Sequence, residues 1–232
     1  LNFIARSAIF NAAKLDKVDC FTHVMNNRLY LAVGEPLSHN VFNIYITIVE
    51  ILMSYQGGSV SILMEDLAKS SGFNMSNYSK PDYRSRFFND VKKLANTYFI
   101  VKENNNVLYF FRLISLIRFN SKSKVFTFDF DNDFFEAYWS TKEQKTLYSV
   151  SQFQGIEGNY AKCLYRYYLT FTSGTKDENK RTTQYQNKLD EALYIENQPL
   201  KTRSRYTKKA HDSLKKKGLI EYTPTKTGTG NV

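Results

Sequence analysis

Cysteine is scarce: Cys20 and Cys163 are the only two in 232 residues, far apart and in no metal-like spacing. That excludes a disulfide scaffold and a zinc knuckle, and leaves the reduced thiols expected of a cytoplasmic protein. Histidine is almost as rare, and His23, His39 and His211 stand isolated, with no His-x-His and no His-Glu-x-x-His pair. The metal sites of a rolling-circle nicking endonuclease and of a zinc protease are therefore missing, and each histidine reads as a surface or packing residue. No Gly-x-x-x-x-Gly-Lys-Ser/Thr loop is present, which argues against an intrinsic NTPase. No apolar run approaches the roughly 18 residues of a membrane span, and no signal-peptide pattern opens the chain. It begins on Leu1 rather than Met, which reads as a trimmed piece with flanking segments beyond it. The acidic run Asp129-Phe-Asp-Asn-Asp133 fails as a calcium loop, because Phe134 stands where glycine is needed and Ser140 where the closing glutamate belongs. Alternating Asp and Phe fits a strand end followed by a helix cap. The expectation is a protein that is not an enzyme and carries no metal or cofactor.

What is abundant is positive charge and aromatic side chain. Lys and Arg outnumber Asp and Glu by 32 to 22, for a formal charge of +10 and a pI near 9.4. A field of that sign steers toward an anionic polymer or surface, although by itself it accounts only for non-specific attraction. The 17 Tyr and 18 Phe supply core and interface material for one large domain or two of about 100 residues.

Along the chain the elements come in a recurring order. Phe3 to Phe10 is apolar around one Arg-Ser pair and is expected to pack on the first domain. Arg28 to Val33 alternates as a strand does, and Gly34-Glu35-Pro36 stops it. A helix from Ser38 places Val41, Ile44, Tyr45, Ile48, Leu52 and Tyr55 at spacings of three and four, and Gly57-Gly58 ends it. Ser59 to Leu63 reads as a strand and Met64 to Ser70 as a short helix. Pro81 sits in the first turn of the next helix, which runs to about Asn96 and buries Phe87, Phe88, Val91 and Leu94. Tyr98 to Lys102 and Val107 to Ile117 then form a hairpin around Asn104-Asn105-Asn106. Helix, strand, helix, basic helix, hairpin is the winged helix-turn-helix order.

The order then starts again, with a strand over Val125 to Phe130 and a capped short helix from Asp131 to Trp139. A helix from about Glu157 to Thr170 and a polar loop from Ser173 to Lys180 follow. Thr182 to Tyr185 is a candidate strand and Gln186 to Tyr194 a short helix. Pro199 opens a basic helix to Lys217, with Gly218 at its end. Leu219 to Thr223 begins a strand, and Thr225 to Gly230 is a wing tip. Leu94 to Val101 and Leu214 to Glu221 share one pattern, a leucine, three polar or small residues, a turn residue and two apolar strand residues, which favours internal duplication. The expected fold is α+β, with two tandem winged helix-turn-helix domains as a pseudo-repeat: residues 1–130 with the N-terminal segment, and residues 131–232 as the main reading domain.

The helix from Pro199 to Lys217 is the most informative stretch. It holds eight cations in 19 residues (Lys201, Arg203, Arg205, Lys208, Lys209, Lys215, Lys216 and Lys217) against one acid, Asp212. Like charges at helical spacing repel. A solvated face with lysines favoured by the helix dipole is the bland alternative, but it does not account for Arg203 and Arg205. Leu200, Tyr206, Ala210 and Leu214 are expected to anchor the helix and turn its cations outward. The N-terminal half of a recognition helix meets base edges. Arg203 and Arg205 suit guanine, Lys208 and Lys209 extend the same basic face, and Thr202 or Ser204 suit phosphate or thymine. Lys215 to Lys217 suit phosphates, and Lys226 adds a cation at the wing tip. On the first basic helix Tyr83, Arg84, Arg86, Asn89 and Lys93 are candidate contacts diluted by Asp82 and Asp90, so that a reading and a structural role stay open there.

Two stretches carry a family resemblance. Ala5-Arg-Ser-Ala-Ile-Phe10 resembles the Arg-Ser-x-Leu-Phe opening of the plasmid replication initiators of the TrfA-like branch. Tyr83-Arg-Ser-Arg-Phe-Phe-Asn-Asp-Val-Lys-Lys-Leu94 resembles their helix before the first wing. The resemblance implies binding of directly repeated double-stranded sites, the iterons, at a replication origin, opening of adjacent DNA, and recruitment of host initiator and helicase. It also implies a homodimer that dissociates to active monomers, with the first unit as dimer surface, and no membrane partner. Asp82 and Asp90 depart from what base contact by the first helix would favour. A winged-helix transcriptional repressor or partition factor, and a non-enzymatic interaction module with a basic face, are the alternatives.

Overall fold

A computed structural model describes residues 9–10, 20–25, 28–55, 58–103, 106–130, 150–172 and 184–222. The first unit is built on helix α1 (His39–Tyr55), whose Val41, Ile44, Tyr45, Ile48 and Leu52 are all buried, as the spacing predicts. Ser38 starts it, its hydroxyl accepting from the Val41 amide at 3.4 Å. Strands β1 (Cys20–Met25) and β2 (Arg28–Val33) precede it, and β1 was not expected from the sequence. Then come β3 (Ser59–Leu63), α2 (Met64–Ser70), a 3-10 turn at Met75–Asn77, and α3 (Pro81–Ala95), with Phe87, Val91 and Leu94 inward. Phe88 is half-buried, wedged against Phe119 and Phe126.

The strands that follow form two sheets. β4 (Tyr98–Glu103) and β5 (Asn106–Arg112) make the wing hairpin and extend β1 and β2 into a four-stranded antiparallel sheet ordered β1-β2-β4-β5. The hairpin's second strand was expected to reach Ile117, and it stops at Arg112. Leu113 and Ile114 are both fully buried where the chain bends out of the first sheet. Ser115 then donates its amide to the Asp129 carbonyl at 2.9 Å. β6 (Leu116–Asn120) enters a second sheet ordered β3-β7-β6, with β7 (Val125–Asp129) at its centre. The stretch expected to begin the second cycle thus completes the first unit's small sheet, Val60 pairing with Phe128. Asp129 serves that sheet, accepting from Ser59 Oγ at 2.7 Å and from Arg118 at 3.1 Å.

The second unit comprises a 3-10 turn at Val150–Phe153 and helices α4 (Asn159–Thr172), α5 (Gln186–Leu193) and α6 (Leu200–Lys216). A Schellman motif closes α6: Leu219 donates to the Leu214 carbonyl at 3.1 Å and Gly218 to that of Lys215 at 2.9 Å, with Gly218 at φ +68°. Leu219 to Glu221 form no strand, a correction to the expected one. Gln184 and Tyr185 likewise lie outside any strand. The expected helix at 131–139, the loop at 173–180 and the wing tip with Lys226 lie outside the described residues.

One core runs through both units. Phe10 bridges to Leu37 and packs on Phe42 and Tyr45 of α1. Its carbonyl accepts from Arg166 of α4, a fully buried arginine whose guanidinium lies 4.7 Å from the Phe42 ring centre. His39 sits beside Phe42 and Phe153, so aromatic packing joins the units as well as filling them.

Candidate nucleic-acid interface

In the second unit α5 and α6 form a helix-turn-helix, with α6 also packed along α4. Side chains along α6 divide by angle about its axis. Ala210 and Leu214 are buried as expected, but so are Thr207 and His211, which the apolar pattern does not reveal. His211 Nδ1 donates to the Thr207 carbonyl at 2.9 Å, and its Nε2 accepts from the Tyr168 hydroxyl at 2.7 Å; that assignment uses the neutral ring, consistent with burial lowering its pKa. The Tyr222 ring stacks on it at 4.0 Å. Tyr206 is half-buried, stacked on Tyr160 at 4.7 Å, with the Arg205 guanidinium 5.3 Å from its ring centre. Leu200 is a correction. It was expected to anchor the helix and is instead 63% exposed, because it stands at the first position, past the edge of the core.

Opposite the stripe, Lys201, Ser204, Arg205, Lys208, Lys209, Lys215, Lys216 and Lys217 are exposed, and Thr202 is half-buried beside them. The face carries Asp212 as its one acid. Arg203 does not belong to it. Its guanidinium turns inward, Nη1 donating to Asp190 Oδ2 at 2.7 Å, and Asp190 has no exposure at all. Reading Arg203 as a free base contact from its place in the N-terminal half is corrected by that pairing: ~100° of rotation per residue puts it near the stripe. Gln186 completes the cluster, donating to Asp190 Oδ1 at 2.6 Å and to Thr207 Oγ1 at 3.0 Å. Sequence reading passed over Asp190 and Gln186. Their only signal was an i, i+4 pair of polar groups on a short helix preceding a basic one.

On α3, Arg84, Arg86 and Asn89 are exposed. Tyr83 and Lys93 each have a surface partner within the chain: the Tyr83 hydroxyl accepts from the Asn74 amide at 3.0 Å, and Lys93 pairs with Glu35 at 3.6 Å. Asp82 is exposed, whereas Asp90 is half-buried, its pKa raised by that burial against the pull of Lys93 and Arg86. The α3 face is thus narrower and less basic than that of α6.

His39 is buried with no hydrogen-bond partner for either ring nitrogen among the described residues. No group of three His, Cys, Asp or Glu able to hold a metal occurs among the described residues. No described helix is long and apolar enough to cross a membrane.

Comparison with known proteins gives a consistent picture. The family model described as Initiator Replication protein, WH1, matches residues 23–169. Two solved structures of domains 2 and 3 of RctB are similar. One, a selenomethionine derivative, has a TM-score of 0.59 at 11% identity and covers 93% of this chain and 85% of that one. The other has a TM-score of 0.59 at 10% identity and covers 93% and 83%. At such identities the likeness is one of fold, two winged helix-turn-helix units in tandem within an α+β chain. No curated protein matches by sequence.

Proposed function

The chain belongs to the initiator replication protein family, and from that premise we propose that it is a non-enzymatic initiator that binds directly repeated duplex sites at a replication origin. α6 is the reading helix of the second unit. The observation that carries this is the one-sided charge of α6: Lys201, Arg205, Lys208, Lys209, Lys215 and Lys216 exposed along a helix whose other side is locked into α4 and α5. A rigid, convex, cationic helix fits the major groove, where side chains reach base edges and neighbouring phosphates together.

Within α6 the roles divide by position. Arg205 and Ser204, near the N-terminal end, face base edges, and Lys215 to Lys217 clamp phosphates. Arg84, Arg86 and Asn89 of α3 add contacts from the first unit. Recruitment of a host initiator and helicase, and a homodimer formed through the first unit, complete the proposal.

Selection from a random-sequence duplex pool followed by footprinting tests it. Direct repeats in the enriched sites support the initiator reading. An inverted repeat would indicate a repressor dimer, and equal affinity for any polyanion would reduce the protein to an interaction module with a basic face.

A further inference from the structure

Beneath the cationic face of α6 lies a carboxylate with no exposure. Asp190 uses both oxygens, Oδ2 accepting from Arg203 at 2.7 Å and Oδ1 from Gln186 at 2.6 Å. The Gln186 amide nitrogen has two hydrogens, and the second serves Thr207 Oγ1 at 3.0 Å. Residues 186 and 190 lie one turn apart on α5, and 203 and 207 one turn apart on α6. Two polar ties about 6 Å apart along each helix therefore cross-link them.

Such ties do what the apolar contacts cannot. Ala210 and Leu214 hold α6 at its distance, but hydrophobic contact is non-directional. Hydrogen bonds weaken steeply as their angles bend, so the pair at Arg203 and Thr207 sets the rotation of α6 about its own axis. At a side-chain radius of about 6 Å, a rotation of 20° moves a side-chain tip by about 2 Å, enough to break a bidentate contact with a base. Buried ion pairs are poor sources of stability against apolar replacements. A charge with no exposure under a reading helix is better explained by orientation.

We infer that Asp190 and Gln186, acting through Arg203 and Thr207, are positioning residues that set which base edges α6 presents, and so determine sequence specificity without touching DNA. This rests on α6 entering the major groove. Arg203 is part of the device rather than a base reader: releasing it to the groove would leave Asp190 facing no cation.

The test uses the whole chain, the duplex that the wild type selects and a scrambled duplex of the same length, at one salt concentration. The variants are Asp190→Asn, Arg203→Met, their double, and Thr207→Val, which removes one acceptor at nearly constant shape. Thermal melting establishes the folded fraction of each. The expected result is a loss of about tenfold in the ratio of cognate to scrambled affinity for Asp190→Asn and for Arg203→Met, with scrambled affinity within about twofold of wild type. The double variant should lose no more than the worse single, as coupled residues do, and selected sites should blur at several base pairs. Thr207→Val should shift the ratio in the same direction, and it reports even if the charge variants do not fold. Equal loss on both duplexes would overturn the inference in favour of a merely structural role. So would an Asp190→Asn protein with wild-type preference beside an Arg203→Met protein blurred at one base pair. A wild type with no preferred sequence would instead refute the DNA-reading premise itself.

Discussion

Replacing Lys216 by alanine isolates the far end of α6. The helix has 17 residues, about 25 Å at 1.5 Å per residue, and Lys216 lies about 16 Å beyond Arg205 along the axis. That separation exceeds the ~12 Å width of the major groove, so a helix with Arg205 at base edges carries Lys216 over the phosphate backbone. Lys216 is exposed and no ion pair ties it down among the described residues. It should therefore release one counterion when it meets a phosphate, which steepens the dependence of log affinity on log salt by about 0.9. Between 50 and 200 mM salt that amounts to a difference of about 3.5-fold between wild type and variant. The assay is fluorescence anisotropy across that range with a selected and a scrambled duplex. Lys216→Ala should weaken both duplexes alike and flatten the slope by about one unit. An unchanged slope, or a loss confined to the selected duplex, would refute the placement of this end of the helix on phosphates.

Other substitutions probe the remaining layers. Arg205→Ala should cost about 1–3 kcal/mol on the selected duplex and relax preference at one base pair; competition with single-base variants of that duplex measures it, and a uniform loss counts against base contact. Leu214→Ala removes a fully buried side chain from the α6 stripe and should destabilise by about 3–5 kcal/mol in urea unfolding; a loss under 1 kcal/mol would mean that the stripe does not anchor the helix. Burial, reinforced by the charges of Arg166 and Lys162, lowers the pKa of His39 from 6.5 to about 2. The folded state thus keeps His39 neutral while the unfolded chain takes up a proton below 6.5, so stability is full above that pH and falls as pH drops. The loss reaches about 2 kcal/mol by pH 5. His39→Phe should remove most of this slope between pH 7 and 5, with His211 leaving a smaller slope of the same sign. An unchanged slope in the variant would show that His39 is not the group responsible.

Much of the secondary structure was legible because its cause is local. Apolar residues every three or four positions mark α1, and Pro81 and Gly218 mark where α3 begins and α6 ends. Each of these follows from helix geometry or backbone freedom within a few residues. The limits of β5 were not legible. Leu113 and Ile114 look like strand residues, and the break after Arg112 appears only in the tertiary structure, where the next strand, β6, pairs with β7 in the other sheet. Membership of β7 in the small three-stranded sheet was hidden too, since its partner β3 lies more than 60 residues earlier, and hydrogen-bonding edges carry no sequence label.

For the interface, the sequence by itself determined that a helix near the end would be cationic and that Ala210 and Leu214 would face inward, because charge and 3.6-residue periodicity are properties of the chain alone. Which cations are free was decided only by tertiary structure. Arg203 and Arg205 are the same residue type two positions apart, yet one meets Asp190 and the other meets solvent. Tyr83 and Lys93 also have partners, Asn74 and Glu35, but at the surface. A buried charge such as Asp190 is costly without a partner, and that partner is wherever the packed helices bring one.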